Sequence, residues 1–259
     1  VAPTPTGVLI NRTEPTVAVT EGDISPSANI EGDIIEFTAT FPQAVTVDLT
    51  SGTPFIAINV GGSTEQAIYT SGSGSTELVF QYEIQVDDED TNGITIPGLA
   101  IDLNGGSISD ATGDVLFTFD DPGTSGVLVD AVAPTVVGAP TGPIAGSYSD
   151  TANSNLDITV VMSEAVTVTG TPFIPLTIGG QVRDADYDAG LSSGNTLVFR
   201  YEITSPTDVF ANDTLTVGDI DLAGGTITVQ DAAGNDADLT AYVAPTPSGV
   251  LINRTEPTV

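Results

Sequence analysis

Along most of the chain apolar and polar residues alternate with a period of two. Leu78, Phe80, Tyr82, Ile84 and Val86 alternate with Val79, Gln81, Glu83 and Gln85, and Ile35, Phe37 and Ala39 alternate with Glu36 and Thr38. Leu156, Ile158, Val160 and Met162 are set against Asp157 and Thr159 in the same way. Successive side chains of a strand point to opposite faces, so this spacing predicts strands with one buried face. Val, Ile, Thr, Phe and Tyr dominate these stretches, and Gly, Asn, Asp, Ser or Pro clusters such as 71–75 and 192–195 separate them every ~8–12 residues. No stretch carries helical spacing. The fold expected is all-β: two tandem immunoglobulin-like antiparallel β-sandwich modules, each of about 120 residues.

Two modules are expected because the sequence repeats. Residues 1–17 and 243–259 agree at 16 of 17 positions, Thr6 against Ser248 being the one difference, which sets a period of 242 residues. Inside that period lies a weaker repeat of half the length. Thr53-Pro54-Phe55-Ile56 matches Thr171-Pro172-Phe173-Ile174, Tyr69 matches Tyr187, residues 78–84 match 197–203, and residues 125–130 match 248–253. The predicted organisation is the end of a preceding repeat with its linker at 1–14, one module at 15–130, a linker at 131–133, a second module at 134–253, and the start of a following unit at 254–259. Detached from its own sheet, the segment 1–11 is expected either to be disordered or to pair with a neighbouring molecule. Pro15 and Pro134 hold the preceding residue in extended geometry and favour a straight entry into each module.

Composition narrows the chemistry. The chain of 259 residues has 35 acidic and 4 basic residues, a formal charge of −31 at pH 7, and it contains no Lys, His, Cys or Trp. That charge repels nucleic-acid phosphates and anionic lipid heads. Serine–histidine and cysteine–histidine nucleophiles, His/Cys zinc sites, Schiff-base lysines and disulfides all need residues that are missing. No apolar run is long enough for direct membrane insertion. An enzyme would have to use paired carboxylates as glycosidases do; with 35 acids some pair at that spacing is inevitable and proves little, and because the chain duplicates one plain unit in tandem no catalytic role is expected.

The acidic residues are unevenly spread. Residues 15–130 hold 19 acids and no base, whereas 131–253 hold 14 acids with Arg183 and Arg200. Asp87-Asp88-Glu89-Asp90-Thr91-Asn92-Gly93 contains D-x-D-x-N-G at 88–93, the first half of an oxygen-ligand calcium loop. The loop's distal Glu is replaced by Leu99, so Asp87, Asp88, Asp90 and Asn92 would need further ligands from spatial neighbours. Asp208, Asn212 and Asp213 form a thinner counterpart. The turns Asp110 to Asp114 and Asp231 to Asn235 read equally as metal ligands or as plain turn chemistry, in which Asp and Asn close tight turns. Asp184, Asp186 and Asp188 fall on one face of a strand, where they would shield an exposed edge from association or, secondarily, hold a cation.

The segment Val129-Asp130-Ala131-Val132-Ala133-Pro134-Thr135-Val136, the strand starts after Gly52 and Gly170, and the Asp110 and Asp231 turns before the closing strands resemble one family. It is the bacterial immunoglobulin-like repeats in the extender regions of large, type I secreted, calcium-dependent (RTX) adhesins, and the resemblance covers essentially the whole chain. It implies a non-catalytic spacer on the extracellular bacterial surface, with neighbouring repeats of the same chain as partners and the adhesive ligand held by other domains. It also implies Ca²⁺ at and near the linkers. Asp130, with the 87–92 loop, is accordingly expected to share a Ca²⁺ with the Asp231–Asn235 turn, while at the other junction Asn253 stands in place of Asp130.

Overall fold

The alternating stretches become strands because their apolar halves have a common interior to face. Ile35, Phe37, Ala39, Leu78 and Phe80 are fully enclosed in one core, and Leu156, Ile158, Val160, Met162 and Phe199 in another. Each large side chain so buried contributes about 1.5–3 kcal/mol relative to exposure. The computed structural model describes residues 18–21, 29–111, 117–151, 154–203, 210–223 and 227–254. The molecule is all-β, built from curled antiparallel sheets; among the described residues the only helical turn is a 3-10 turn at Thr124–Gly126. Two compact units are present, Val1–Val132 and Ala133–Val259.

The first unit contains β1 (Ala18–Glu21), β2 (Ile34–Asp48), β3 (Phe55–Val60), β4 (Ser63–Ser71), β5 (Ser75–Glu83), β6 (Glu89–Asp90), β7 (Ile101–Asp102), β8 (Ser107–Ser109) and β9 (Val129–Asp130). Its main sheet runs β1-β2-β5-β4-β3-β7, with β8 on the far half of β2 and a separate β6-β9 pair. The long β2 changes partner because its register breaks between Thr40 and Val45, around Pro42, which has no N–H to give to a ladder. Alternation stops earlier than the sequence predicts at the end of β5. Val86 is 61% exposed, because Asp87 takes a left-handed φ of 67° and turns the chain out of the sheet.

The second unit contains β10 (Gly146–Tyr148), β11 (Asn155–Val161), β12 (Thr167–Thr169), β13 (Phe173–Ile178), β14 (Gln181–Tyr187), β15 (Thr196–Glu202), β16 (Phe210–Val217), β17 (Thr228–Gln230) and β18 (Val250–Arg254). Its sheet runs β10-β18-β16-β13-β14-β15-β11, with a separate β12-β17 pair. The half-length sequence repeat is a repeat of register. Phe55 pairs with Ile68 and Asp102, and Phe173 with Asp186 and Asp221. The Tyr69 and Tyr187 N–H groups donate to Pro54 and Pro172 carbonyls, both at 2.9 Å. Their rings meet Phe80 and Phe199 edge-on at 5.9 and 6.1 Å.

Two features depart from a purely antiparallel plan. β10 and β18 are parallel, as are Asn29 and Val129 in the first unit, because the first and last segments of each unit run the same way and the whole unit is the crossover between them. The counterpart of β1 in the second unit is reduced to bridges at Val136 and Thr141, since Gly138 has a φ of 70° and Pro140 cannot donate.

Candidate functional site

In the first unit the acidic loop after β5 is tied to the closing strand. The Asp87 N–H donates to the Ala131 carbonyl at 3.0 Å, and the Ala131 N–H donates to the Asp88 carbonyl at 2.8 Å. β6 and β9 then pair, with Glu89 opposite Asp130 and Asp90 opposite Val129. On the other side of β9 the Asp130 N–H donates to Asn29, whose buried side chain donates to the Leu128 carbonyl at 2.8 Å. Thus Asp130, distant in sequence, is brought beside the stretch that holds Asp87, Asp88 and Asp90.

The carboxylates of Asp88, Asp90 and Asp130 are taken up locally. Asp88 accepts from the Tyr82 hydroxyl and, at 2.9 Å, from the Gln85 N–H. Burial, reinforced by the hydrogen bond to Asp88, pushes the Tyr82 phenol well above its ordinary range, so it remains a donor at any physiological pH. Asp90, only 4% exposed, accepts from Gly61 N–H at 2.8 Å and Asn92 N–H at 3.2 Å. Asp130 Oδ1 accepts from Val132 N–H at 3.4 Å. A carboxylate has about four lone-pair sites, so these bonds orient each group and still leave oxygen for a cation. Within the first unit, no three carboxylates among the described residues come within 4.8 Å of one another. Asp110 follows β8 and is half-buried, whereas Asp114 lies outside the described residues.

In the second unit Asp231 directly follows β17 and organises its own turn. Its carboxylate accepts from Gly234 N–H at 2.7 Å, Asn235 N–H at 2.9 Å and the Asn235 side-chain amide at 2.8 Å. Both residues are buried, Asp231 at 6% and Asn235 at 9% exposure. A Glu164 carboxylate oxygen lies within 4.8 Å of one from Asp231. Two anions this close repel each other, and a cation between them would offset that repulsion. Sequence motifs alone do not single out Glu164, yet a signal exists, since Glu164-Ala165-Val166-Thr167-Val168 repeats Gln43-Ala44-Val45-Thr46-Val47 with Glu in place of Gln.

Asp213 is placed differently. It sits at a bulge in β16, accepts from the Ala211 N–H at 3.1 Å and fills the space above Gly179, where a Cβ would come 2.5 Å from its Oδ2. In the first unit Asp90 addresses the equivalent hairpin turn at Gly61. Asp208 lies outside the described residues. Asn253, where the sequence comparison sets Asn against Asp130, has a buried Oδ1 with no hydrogen-bond partner.

Of the alternating aspartates, Asp186 is paired on both sides, to Phe173 of β13 and Arg200 of β15, whereas the ladder to β15 covers only Asp186 and Tyr187 and Asp184 is paired to β13 alone. Asp186 is opposite Arg200, which makes a two-pronged pair with Asp157 at 2.7 Å for both bonds. Burial and then the neighbouring Asp184 charge raise the Asp186 carboxyl above its usual range. In the first unit the same cross-strand place holds a neutral–anion pair, Gln81 donating to Glu36 at 2.7 Å. Tyr69, Tyr187 and Tyr201 pack partly buried against the cores, as the strand pattern predicts.

Compared with known proteins, the chain matches no family model and no curated protein.

Proposed function

We propose that this chain is a non-catalytic, Ca²⁺-stabilised spacer from the extender region of a bacterial cell-surface adhesin, made of immunoglobulin-like sandwich modules that hold distal adhesive domains away from the cell. The observation that carries this reading is repetition. The same strand register, the same Tyr–Phe packing and the same Pro-carbonyl bond recur in both units, and the sequence starts over after 242 residues. Tandem repetition of one plain unit adds length, whereas an enzyme adds a distinct cleft.

The acidic balance supports a cation as the stabilising partner. A net charge of −31 repels itself, and ions bound to the folded state offset that repulsion. Each unit offers oxygen ligands of its own: the oriented Asp88, Asp90 and Asp130 in the first, and Asp231 with Glu164 in the second. All are hard donors of the kind Ca²⁺ takes six to eight of. In the proposal the extracellular location follows from the adhesin reading.

Thermal unfolding tests it, in Ca²⁺, in Mg²⁺ and in chelator at matched ionic strength. Specific binding to the folded state raises Tm with Ca²⁺ alone. Equal Tm in all three conditions would leave screening as the only role of the ions and overturn the Ca²⁺ reading. Asp130→Ala is expected to weaken Ca²⁺ affinity, and unchanged affinity would remove Asp130 from the ligand set. A second reading, a ligand-binding surface module, is favoured by the open sheet face of the first unit, where Ile34 and Ile68 are 51% and 46% exposed beside Gln66 and Gln81. Binding on a glycan or protein array that is lost on Ile68→Asp would establish it.

A further inference from the structure

The two units differ at one matched patch of sheet. In the second unit Arg200 of β15 stands opposite Asp157 of β11 on one side and Asp186 of β14 on the other, and Asn155 stands opposite Glu202. The guanidinium is held in its two-pronged bond to Asp157, so this face supplies its own cation. The first unit keeps the register with other residues. Gln81 of β5 stands opposite Glu36 of β2 and Ile68 of β4, and Ile34 stands opposite Glu83. Where the second unit has Asn155, Asp186 and Arg200, the first therefore has Ile34, Ile68 and Gln81, while the acid is kept as Glu36. All four lie on the outward side, since the same strands bury Ile35, Phe37, Ala67 and Phe80 on the other.

These changes leave a face that is apolar and anionic at once. Ile34 and Ile68 are exposed on the two sides of β5, and with Gln66, Gln81, Glu65 and Glu83 they line a hollow of about 860 Å³. Gln81 gives a hydrogen bond to Glu36, but a neutral amide leaves its charge in place. No basic neighbour is at hand either, because residues 15–130 hold 19 acids and no base. A guanidinium suits this place better than an ammonium: its planar fork pairs with a carboxylate through two bonds, and its weaker hydration tolerates apolar flanks. A second copy of the chain is a poor occupant, for two bodies each of charge −31 repel.

We infer that the β2-β5-β4 face of the first unit binds an arginine-bearing segment of another protein, whose guanidinium meets Glu36 as Arg200 meets Asp157 and whose apolar neighbours cover Ile34 and Ile68. The inference rests on the ligand-binding reading given second above and is independent of Ca²⁺. The partner's arginine completes an arrangement that the second unit completes by itself. In an extended segment alternate side chains share a face at steps of about 6.6 Å, and two strand spacings set β2 about 9.5 Å from β4. A Leu-x-Arg-x-Leu pattern thus has the reach to touch both isoleucines and the carboxylate together.

The test is a nuclear magnetic resonance titration of the full chain with an acetylated and amidated Leu-Ser-Arg-Ser-Leu peptide, and with the same peptide carrying Lys or Gln in place of Arg. The Arg peptide is expected to shift amides of β2, β4 and β5 and to leave those of β11, β14 and β15 unmoved, with affinity falling as salt rises. The Lys peptide should bind ~3-fold more weakly and the Gln peptide ~10-fold more weakly. Gln81→Arg copies the second unit and should close the face to the Arg peptide, while Glu36→Gln should erase the preference for Arg over Gln. Equal binding of the Arg and Gln peptides by the parent chain overturns the arginine and keeps the ligand-binding reading. Undiminished binding of the Arg peptide to Gln81→Arg also overturns the inference. So does the absence of any shift in β2, β4 and β5 with all three peptides, and the glycan and protein arrays then decide the wider reading alone.

Discussion

At the residue scale, several positions are set by backbone crowding more than by side-chain chemistry. Gly93 ends the acidic loop at a φ of 97°, and a Cβ there would lie 2.2 Å from the Ser125 carbonyl oxygen. The D-x-D-x-N-G motif shows a glycine there, but the reason it is needed is the passage of residues 125–127, which no local pattern reveals. Gly93→Ala is expected to cost about 2 kcal/mol or more, since a left-handed backbone and a fixed main-chain neighbour both oppose it. Urea denaturation of the variant measures this. Gly52 is a related case, in which an added Cβ would overlap the Asn104 carbonyl at 1.7 Å. The carboxylates show the same limit on legibility. Asp90 and Asp231 are marked by their motifs, yet only the fold shows that both are buried and already bonded to N–H groups.

At the element scale, partner choice decides what a charged row does. Asp184 and Asp186 read as edge guards because the strand pattern says nothing about neighbours; β14 has a strand on each side at Asp186, while its ladder to β15 stops short of Asp184. Arg200 stands across from both Asp157 and Asp186, and its two hydrogen bonds go to Asp157. A residual cost shows in Asp186, whose carboxyl is raised first by burial and then by Asp184. An acid raised in the native state binds its proton more tightly there than in the unfolded chain. Stability therefore falls as pH rises from the ordinary Asp range through the native value, and stays level above it. Asp186→Asn is expected to match the parent at pH ~3 and to be the more stable of the two at pH 7, by a small margin because Asp186 is exposed and solvent screens its charge. Denaturation at the two pH values checks the sign.

On the scale of the whole molecule, stability is divided. Among the described residues, the first core is built from residues 19–131 and the second from residues 136–252. Phe80 and Phe199 occupy equivalent, fully enclosed places in the two. Truncating either to Ala is expected to cost its own unit about 3–5 kcal/mol. Hydrogen exchange followed by peptide should show Phe80→Ala loosening β2, β4 and β5 while β11, β14 and β15 keep their protection, and Phe199→Ala doing the reverse. Loss of protection in both units from either change would mean that they unfold as one.

The sequence by itself determined the all-β class, the enclosed faces of β2, β5, β11 and β15, the half-length and full-length repeats, and the exclusion of histidine, cysteine and lysine chemistry. These follow from quantities that are local or compositional: a two-residue period, a count, an identity between segments. Tertiary structure alone decided the parallel placement of β10 against β18, the interior position of β14, the tying of Asp87 and Asp88 to Ala131, and the approach of Glu164 to Asp231. Each of these depends on which distant segments share a sheet or a turn. Alternation tells a strand which face to bury, and it carries no record of which strand will lie beside it.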